Sequence, residues 1–313
     1  MQELREGVVG EASKIVVAQE HVIEEILIAL LVGGHVLIEG VPGVAKTLLV
    51  KVCARVTGCD FRRVQFTPDM MPSDLTGTMV FNTKTSEFQF RPGPVFTNFL
   101  LADEINRTPP KTQSALLEVM EERQVTVEGQ TYKAPAPFFV AATQNPIEYE
   151  GTYPLPEAQL DRFLFKIEMG YPTEPWEYEM LRRHNAGLDP RYLDTVAIDA
   201  ATSPEQLIEA GRVARQVQVA DDVLAYLMRI VRQTRAAPAV QLGGSPRAAV
   251  ALLSACKARA ALWGRDFVTP DDVAYLTKPV LRHRILLRPE AELEQYGPDD
   301  VLDAALAQIP VPR

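Results

Sequence analysis

The chain has 313 residues, and its 47% hydrophobic and 23% charged residues are typical of a globular protein. A net charge of −9 argues against general nucleic-acid binding, which needs a basic face. The longest apolar stretch, residues 26–32, is far shorter than the ~20 residues of a membrane span, and the first residues lack the apolar segment of a signal peptide.

The length predicts two domains, and the first of them alternates strands and helices. Apolar residues between Ile23 and Leu31 recur at helical spacing, and Gly33-Gly34 ends that helix. Further helical patterns cover residues 47–57 and 110–122. The predicted strands are residues 35–39, 61–66, 98–102, 138–142 and 163–167. This alternation predicts an α/β fold with a doubly wound, parallel five-stranded sheet that is covered on both faces.

Two segments interrupt the alternation. Residues 67–97 are rich in proline and glycine and contain short alternating pieces, which predicts an insertion with a small helix and a hairpin before the third strand. Residues 123–134 alternate with period two around Glu128-Gly129, which predicts a second β-hairpin.

The second domain is predicted to be helical, because strand patterns stop near Tyr171. Ser245-Pro246 and Thr269-Pro270 are typical of helix starts. The helical patterns cover about 175–186, 203–216, 221–235, 246–263 and 270–282. We therefore expect an α/β domain over residues 1–170 and a helical domain over residues 171–313.

The cysteines indicate a reducing compartment. Cys53, Cys59 and Cys256 leave at least one thiol unpaired in any disulfide scheme, and Cys53 lies on the apolar face of a predicted helix. The four histidines are scattered, and no Cys/His cluster has metal-ligand spacing. We expect buried, reduced thiols and a cytoplasmic protein.

A glycine-rich turn between the first strand and the next helix is typical of a phosphate-binding loop. Backbone N–H groups of such a turn and the positive end of the helix can cradle a polyphosphate. Lys46 would reach the outer phosphates, and the Thr47 hydroxyl would bind Mg²⁺. The expected nucleotide-binding residues are Gly40, Val41, Pro42, Gly43, Val44, Ala45, Lys46, Thr47 and Leu48.

One position of this loop departs from the usual pattern G-x-x-x-x-G-K-[ST], since Ala45 replaces the last glycine. A methyl group is tolerated there if the residue already has helical backbone angles, and Gly43 still allows a turn. We therefore expect the loop to bind nucleotide despite the substitution.

Adjacent carboxylates follow the third strand, at the carboxyl edge of the sheet where ligands bind in open α/β folds. Asp103 would hold Mg²⁺ directly or through water, and Glu104 would polarise the attacking water. The alternative is an ordinary surface Asp-Glu pair. Because the pair follows an apolar strand downstream of a phosphate loop, the catalytic interpretation is favoured.

Asn145 ends the fourth strand, next to the same edge. Its amide could orient the water or contact the γ-phosphate, although an Asn before Pro146 is by itself usually a turn residue. In the presence of the other two motifs, the sequence predicts a catalytic role for Asn145.

Two arginines are candidates for contacts with phosphate. Arg162 precedes the fifth strand, where it could stabilise a neighbouring subunit's transferring phosphate; the alternative is an ion pair with Asp161 or another local acid. Arg247 lies in the first turn of a predicted helix, where the macrodipole disfavours a cation. An anion is needed there, and a bound nucleotide would supply one.

Together these motifs resemble those of the AAA+ ATPases, and within them the MoxR family, from Ile15 to about Arg284. The alanine-containing loop resembles the MoxR form of the Walker A motif, Asp103–Arg107 its Walker B and Ala-Thr-Gln-Asn-Pro146 its sensor 1. The segment ending at Arg162 is similar to the arginine-finger segment, and Ser-Pro-Arg247 to sensor 2.

The inserts and one substitution complete the comparison. The insertion at 67–97 resembles the helix-2 insert of the family, and the hairpin at 123–134 resembles its pre-sensor-1 insert. Ala18 stands where the family more often has glycine, which should change little beyond the flexibility of a loop near the adenine.

The resemblance implies a Mg²⁺-dependent ATPase with ATP at the subunit interfaces of a hexameric ring and a helical lid as its second domain. It also implies chaperone-like remodelling, or metal-cofactor loading, of client proteins beside a partner with a von Willebrand factor A domain.

The alternative is an ATP-driven nucleic-acid motor on the same core. A hairpin that tracks DNA should carry exposed Lys or Arg with aromatic residues, and neither insert is basic enough. A nucleotide-gated scaffold is disfavoured by the presence of Glu104, Asn145 and Arg162. A small-molecule kinase would not explain the helical domain with Arg247.

Overall fold

A computed structural model describes residues 1–145, 151–189 and 196–312 of the chain. The strands are β1 (Val36–Gly40), β2 (Phe61–Gln65), β3 (Gly77–Asn82), β4 (Glu87–Pro92), β5 (Phe99–Asp103), β6 (Gln124–Val127), β7 (Gln130–Lys133), β8 (Phe139–Gln144), β9 (Phe165–Met169), β10 (Val240–Leu242) and β11 (Leu286–Leu287). The helices are α1 (Gln2–Ser13), α2 (Glu20–Val32), α3 (Lys46–Val56), α4 (Pro72–Thr76), α5 (Pro110–Glu122), α6 (Glu157–Leu160), α7 (Glu174–Asn185), α8 (Pro204–Arg215), α9 (Asp221–Ala236), α10 (Pro246–Leu262), α11 (Pro270–Leu281), α12 (Pro289–Leu293) and α13 (Pro298–Gln308).

The central sheet has five parallel strands in the order β2-β5-β8-β1-β9. Side chains of one strand alternate between its two faces. In β5, Phe99 and Leu101 pack into the core on one side, whereas Leu100 and Ala102 pack into a second core on the other. Helices α2 and α3 cover the first face, and α5 covers the second. The predicted doubly wound α/β sheet is confirmed.

Both predicted inserts are present. Residues 67–97 contain α4 and the β3–β4 hairpin, and the turn between β6 and β7 lies at Glu128 and Gly129, which both have positive φ. The rings of Phe90 in β4 and Tyr132 in β7 stack at 4.0 Å, so the two hairpins contact each other.

The predicted helices of the second half are also present, and the N-terminal helices pack against them. Helix α2 contacts α8 and α10. Gly211 allows this approach, because an added Cβ would lie 2.5 Å from the Leu31 carbonyl oxygen. One hydrophobic core therefore runs from the sheet into the helical region. The three cysteines are buried and unbridged.

Several details differ from the sequence-based expectations. Helices α1, α6, α12 and α13 were not predicted. Strand signals do not stop at Tyr171, because β10 and β11 form a short antiparallel pair. The last sheet strand was predicted from Phe163 but begins at Phe165, since the Phe163 carbonyl accepts hydrogen bonds from His283 (2.9 Å) and Arg284 (2.7 Å) instead of joining the sheet.

No helix within the described ranges is long and apolar enough to cross a membrane.

Candidate active site

The phosphate loop joins β1 to α3 at the carboxyl edge of the sheet. Gly43 has φ 87°, as the turn requires, and Lys46 begins the helix. The Lys46 ammonium folds back onto the loop, where it donates to the carbonyls of Gly40 and Val41. These carbonyls hold the ammonium beside the backbone that would surround a polyphosphate.

The expectation for Ala45 needs correction. The sequence argument required ordinary helical angles, but Ala45 has φ 62° and ψ 27°, which is the left-handed region. That conformation costs a residue with a Cβ roughly 1–2 kcal/mol. The loop therefore keeps the backbone of a glycine although it carries alanine.

Asp103 ends β5 and is 7% exposed. Its carboxylate accepts from Thr143 Oγ1 at 2.5 Å and from Arg63 Nε at 2.9 Å. Thr47 Oγ1 lies 3.4 Å from Asp103 Oδ2, so the two predicted metal-binding side chains are adjacent. Both offer oxygen atoms, the ligand type that Mg²⁺ prefers.

Glu104 follows Asp103 with φ 59°, a strained conformation for this residue type. Its backbone N–H donates to Thr143 Oγ1 at 2.9 Å. Its side chain accepts from Gln65 Nε2 at 2.6 Å and pairs with Arg107 Nε at 2.9 Å. These contacts hold the carboxylate at the edge of the sheet beside Asp103.

Asn145 directly follows β8, which lies between β5 and β1, and it is buried. Because parallel strands end at one edge, Asn145 lies between the acidic pair and the phosphate loop. Pro146, the last residue of the predicted sensor 1 motif, lies outside the described residues.

Sequence reasoning missed two of the polar residues that hold the two carboxylates. Arg63 and Gln65 come from β2, which pairs with β5 so that Gln65 is opposite Asp103. Alternation along Phe61–Gln65 puts Arg63 and Gln65 on the same face, and this was the available signal. Only the pairing of the strands identifies their partners.

An apolar cavity of about 370 Å³ lies beside the loop. It extends from Gly43 and Ala45 to the N-terminal residues 15–17, and Tyr171 and Trp176 line its outer side. Its size and apolar walls fit a nucleotide base. Ala18, next to this segment, has φ 61°, so here too alanine occupies a backbone conformation that favours glycine.

The two arginines lie at the opposite edge of the sheet. The Leu164 N–H donates to the carbonyl of His35, the residue just before β1 begins. Arg162 comes two residues before Leu164, so it lies near the start of β1. Arg162 Nη1 donates to the Leu117 carbonyl at 2.7 Å, and its Nη2 lies 3.2 Å from Glu121. The predicted alternative, an ion pair with a local acid, is therefore observed.

Arg247 joins Arg162 in the same place. Its guanidinium lies 3.7 Å from Glu121 and 3.6 Å from Asp161. The structure thus brings Lys46, Thr47, Asp103, Glu104 and Asn145 to the carboxyl edge of the sheet. It brings Arg162 and Arg247 together at the amino edge. Across the described part of the chain, no group of three or more His, Cys, Asp or Glu residues could hold a metal ion without other ligands.

Comparison with known proteins identifies the class. Residues 35–165 match the ATPase family associated with various cellular activities (AAA), and residues 232–305 match the AAA lid domain. A crystal structure of a protein from Cytophaga hutchinsonii, described as an ATPase, superposes with a TM-score of 0.89 at 40% identity and covers 99% of this chain and 96% of that one. Fold, site and matches define an AAA+ P-loop ATPase with a helical lid.

Curated relatives give the family. YeaC of Bacillus subtilis is 48% identical over 97% of this chain and 93% of its own length. The chaperone MoxR1 of Mycobacterium tuberculosis is 44% identical over 98% of this chain and 82% of its own length. The protein MoxR of Methylorubrum extorquens is 33% identical over 96% of this chain and 93% of its own length. The chain belongs to the MoxR family of AAA+ ATPases. It is a chaperone-like, nucleotide-binding ATPase.

Proposed function

We propose that the chain hydrolyses Mg²⁺-ATP at the carboxyl edge of its sheet. Residues 40–48 cradle the triphosphate, Lys46 contacts the outer phosphates, and Thr47 and Asp103 hold Mg²⁺. The hydroxyl and carboxylate oxygens, 3.4 Å apart, fit this ion. When bound, Mg²⁺ neutralises charge on the phosphates. Glu104 polarises the attacking water, and Asn145 orients it.

We further propose that Arg162 and Arg247 act on the nucleotide of a neighbouring subunit. The observation that carries this proposal is their position at the amino edge, where Arg162 contacts Glu121 on the last turn of α5. Strand β1 starts near these arginines and ends at the phosphate loop. It has five residues and is roughly 17 Å long, and this length separates the arginines from the phosphate loop of their own subunit. If the arginines act on a neighbour's nucleotide, the two subunits must contact each other head to tail. A closed assembly of such interfaces is a ring, and we expect this ring to be a hexamer.

The experiment is a measurement of ATP hydrolysis per subunit across a range of protein concentrations, with the assembly state followed by sizing. Activity per subunit is expected to rise as the oligomer forms, because each site then receives arginines from its neighbour. Nucleotide binding by Lys46 and its loop should not change with concentration. A monomer that hydrolyses ATP at the rate of the oligomer would contradict service in trans.

We propose that the chain uses the energy of hydrolysis to remodel client proteins or to load metal cofactors into them. We expect it to act in the cytoplasm, beside a partner with a von Willebrand factor A domain. Support for a protein client comes from the β3–β4 hairpin, where Phe81 and Phe88 are 49% and 67% exposed. Support for the compartment comes from the unbridged cysteines. ATP hydrolysis should rise with an unfolded protein; a rise with single-stranded DNA alone would favour the nucleic-acid motor.

We also propose that the boundary between the α/β domain and the lid lies at residues 170 and 171. The two family matches, 35–165 and 232–305, fall on either side of it.

A further inference from the structure

Four arginines line one cavity of about 310 Å³ at the amino edge of the sheet. One of them, Arg123, donates to the Gly33 carbonyl, and the other three come from different elements and pair with Asp161 or Glu121. Arg162 comes from the sheet domain, Arg247 from the first turn of α10, and Arg284 follows α11. Like charges at such short range repel one another, so the cavity needs carboxylates to hold the guanidiniums together.

Asp161 is the first carboxylate that compensates this positive charge, and its main partner is Arg284. Arg284 Nε lies 2.6 Å from Asp161 Oδ1, and the Arg284 side chain is only 5% exposed. Asp161 reaches Arg247 with its other oxygen at 3.6 Å, and no ion pair between Asp161 and Arg162 is present among the described residues. A different group must therefore hold Arg162 beside Arg247.

Glu121 on α5 is that group. Its Oε2 lies 3.2 Å from Arg162 Nη2 and its Oε1 lies 3.7 Å from Arg247 Nη2, so one carboxylate contacts both arginines. Residues four apart share a helix face, and the carbonyl of Leu117, four residues earlier, accepts from Arg162 Nη1. Helix α5 thus fixes the Arg162 guanidinium at two points.

We propose that Glu121 is a positioning residue for the Arg162–Arg247 pair. It holds the two guanidiniums side by side so that both can contact the phosphates of the nucleotide bound to a neighbouring subunit. This inference rests on the proposed action in trans. An arginine has five N–H donors. Arg162 uses one on Leu117 and one on Glu121, so donors remain for a phosphate while the side chain is held.

The test compares Glu121→Gln with Glu122→Gln, a matched control on the same helix whose side chain is exposed and forms no ion pair with any of the described residues. Glu121→Gln keeps the shape and one acceptor but loses the charge. Because a partly exposed ion pair is worth up to ~1 kcal/mol, kcat should fall about fivefold. KM for ATP should stay within about twofold, since the variant's own phosphate loop is intact. Glu122→Gln should match the parent in both.

Mixed oligomers separate positioning from a general defect. Lys46→Ala subunits lack a competent phosphate loop but keep Glu121 and both arginines. As their share increases, each Glu121→Gln site more often receives correctly held arginines. Its rate should then approach that of parent subunits mixed with Lys46→Ala in the same ratio. Thermal unfolding and sizing of each variant verify folding and assembly.

Two outcomes would overturn the role of Glu121: a kcat equal to or above that of Glu122→Gln, or a deficit that Lys46→Ala subunits do not relieve. Failure of the proposed function has a different signature. In that case Arg162→Ala itself hydrolyses ATP at the parent rate, whatever Glu121→Gln does.

Discussion

At the scale of single residues, the site is built on strained backbone. Ala45 and Glu104 have φ of 62° and 59°. Each such conformation costs of order 1–3 kcal/mol and persists only where the surroundings enforce it. For Glu104 the surroundings are the backbone bond to Thr143 and the side-chain contacts with Gln65 and Arg107. Sequence patterns identified Glu104 and the nearby Arg107 but not Gln65 and Thr143, because these two partners come from other strands.

Glu104→Gln should keep nucleotide binding and stop turnover. An amide still fits between Gln65 and Arg107 but cannot polarise water, and loss of a general base costs at least ~100-fold. Binding is measured by calorimetry and turnover by phosphate release. Lys46→Ala is the contrasting variant, because it removes the cation of the loop and should abolish binding. Hydrolysis by Glu104→Gln at the parent rate would show that another group activates the water.

At the scale of elements, sequence patterns predicted the five strands of the central sheet and most of the long helices, but not α1 or α13, which have 12 and 11 residues. They missed β10 and β11, which have three and two residues, too few for alternation to register. They also set the start of β9 two residues early, because hydrogen bonds from His283 and Arg284 to residue 163 are invisible in the sequence.

One histidine joins three elements. His35 precedes β1, and its Nε2 lies 3.0 Å from the Met120 carbonyl oxygen of α5. Its Nδ1 accepts from the Val140 N–H of β8 at 3.0 Å. These partners require a neutral ring with the proton on Nε2. Burial lowers the pKa of His35 to about 4.

Stability should therefore depend on pH between about 6.5 and 4. In this range the unfolded chain binds a proton at residue 35 and the folded chain does not, so the free energy of unfolding falls as the pH falls, by up to ~1.4 kcal/mol per pH unit. Denaturant unfolding at pH 7 and pH 5 measures the change. His35→Gln should be less stable than the parent at pH 7 but should lose less free energy of unfolding between pH 7 and pH 5. His184→Gln, at an exposed histidine, should show the same pH dependence of stability as the parent. Equal slopes for His35→Gln and the parent would mean that His35 is not held neutral.

At the scale of the whole molecule, the predicted site residues divide between two edges of one sheet. The chemistry at the carboxyl edge could be predicted because its residues are local to strand ends, and parallel strands end together. The meeting of Arg162 with Arg247 could not, since it depends on how the lid packs against the sheet domain. That packing rests on a core shared by both regions.

The most direct test of the central claim mixes two inactive variants, Arg162→Ala and Lys46→Ala. Arg162→Ala subunits keep a competent phosphate loop, and Lys46→Ala subunits keep the arginines. If Arg162 acts in trans, some interfaces of a mixed ring contain both intact groups, and ATP hydrolysis should partly return. No recovery at any ratio, in mixed rings verified by sizing, would show that Arg162 acts only within its own subunit.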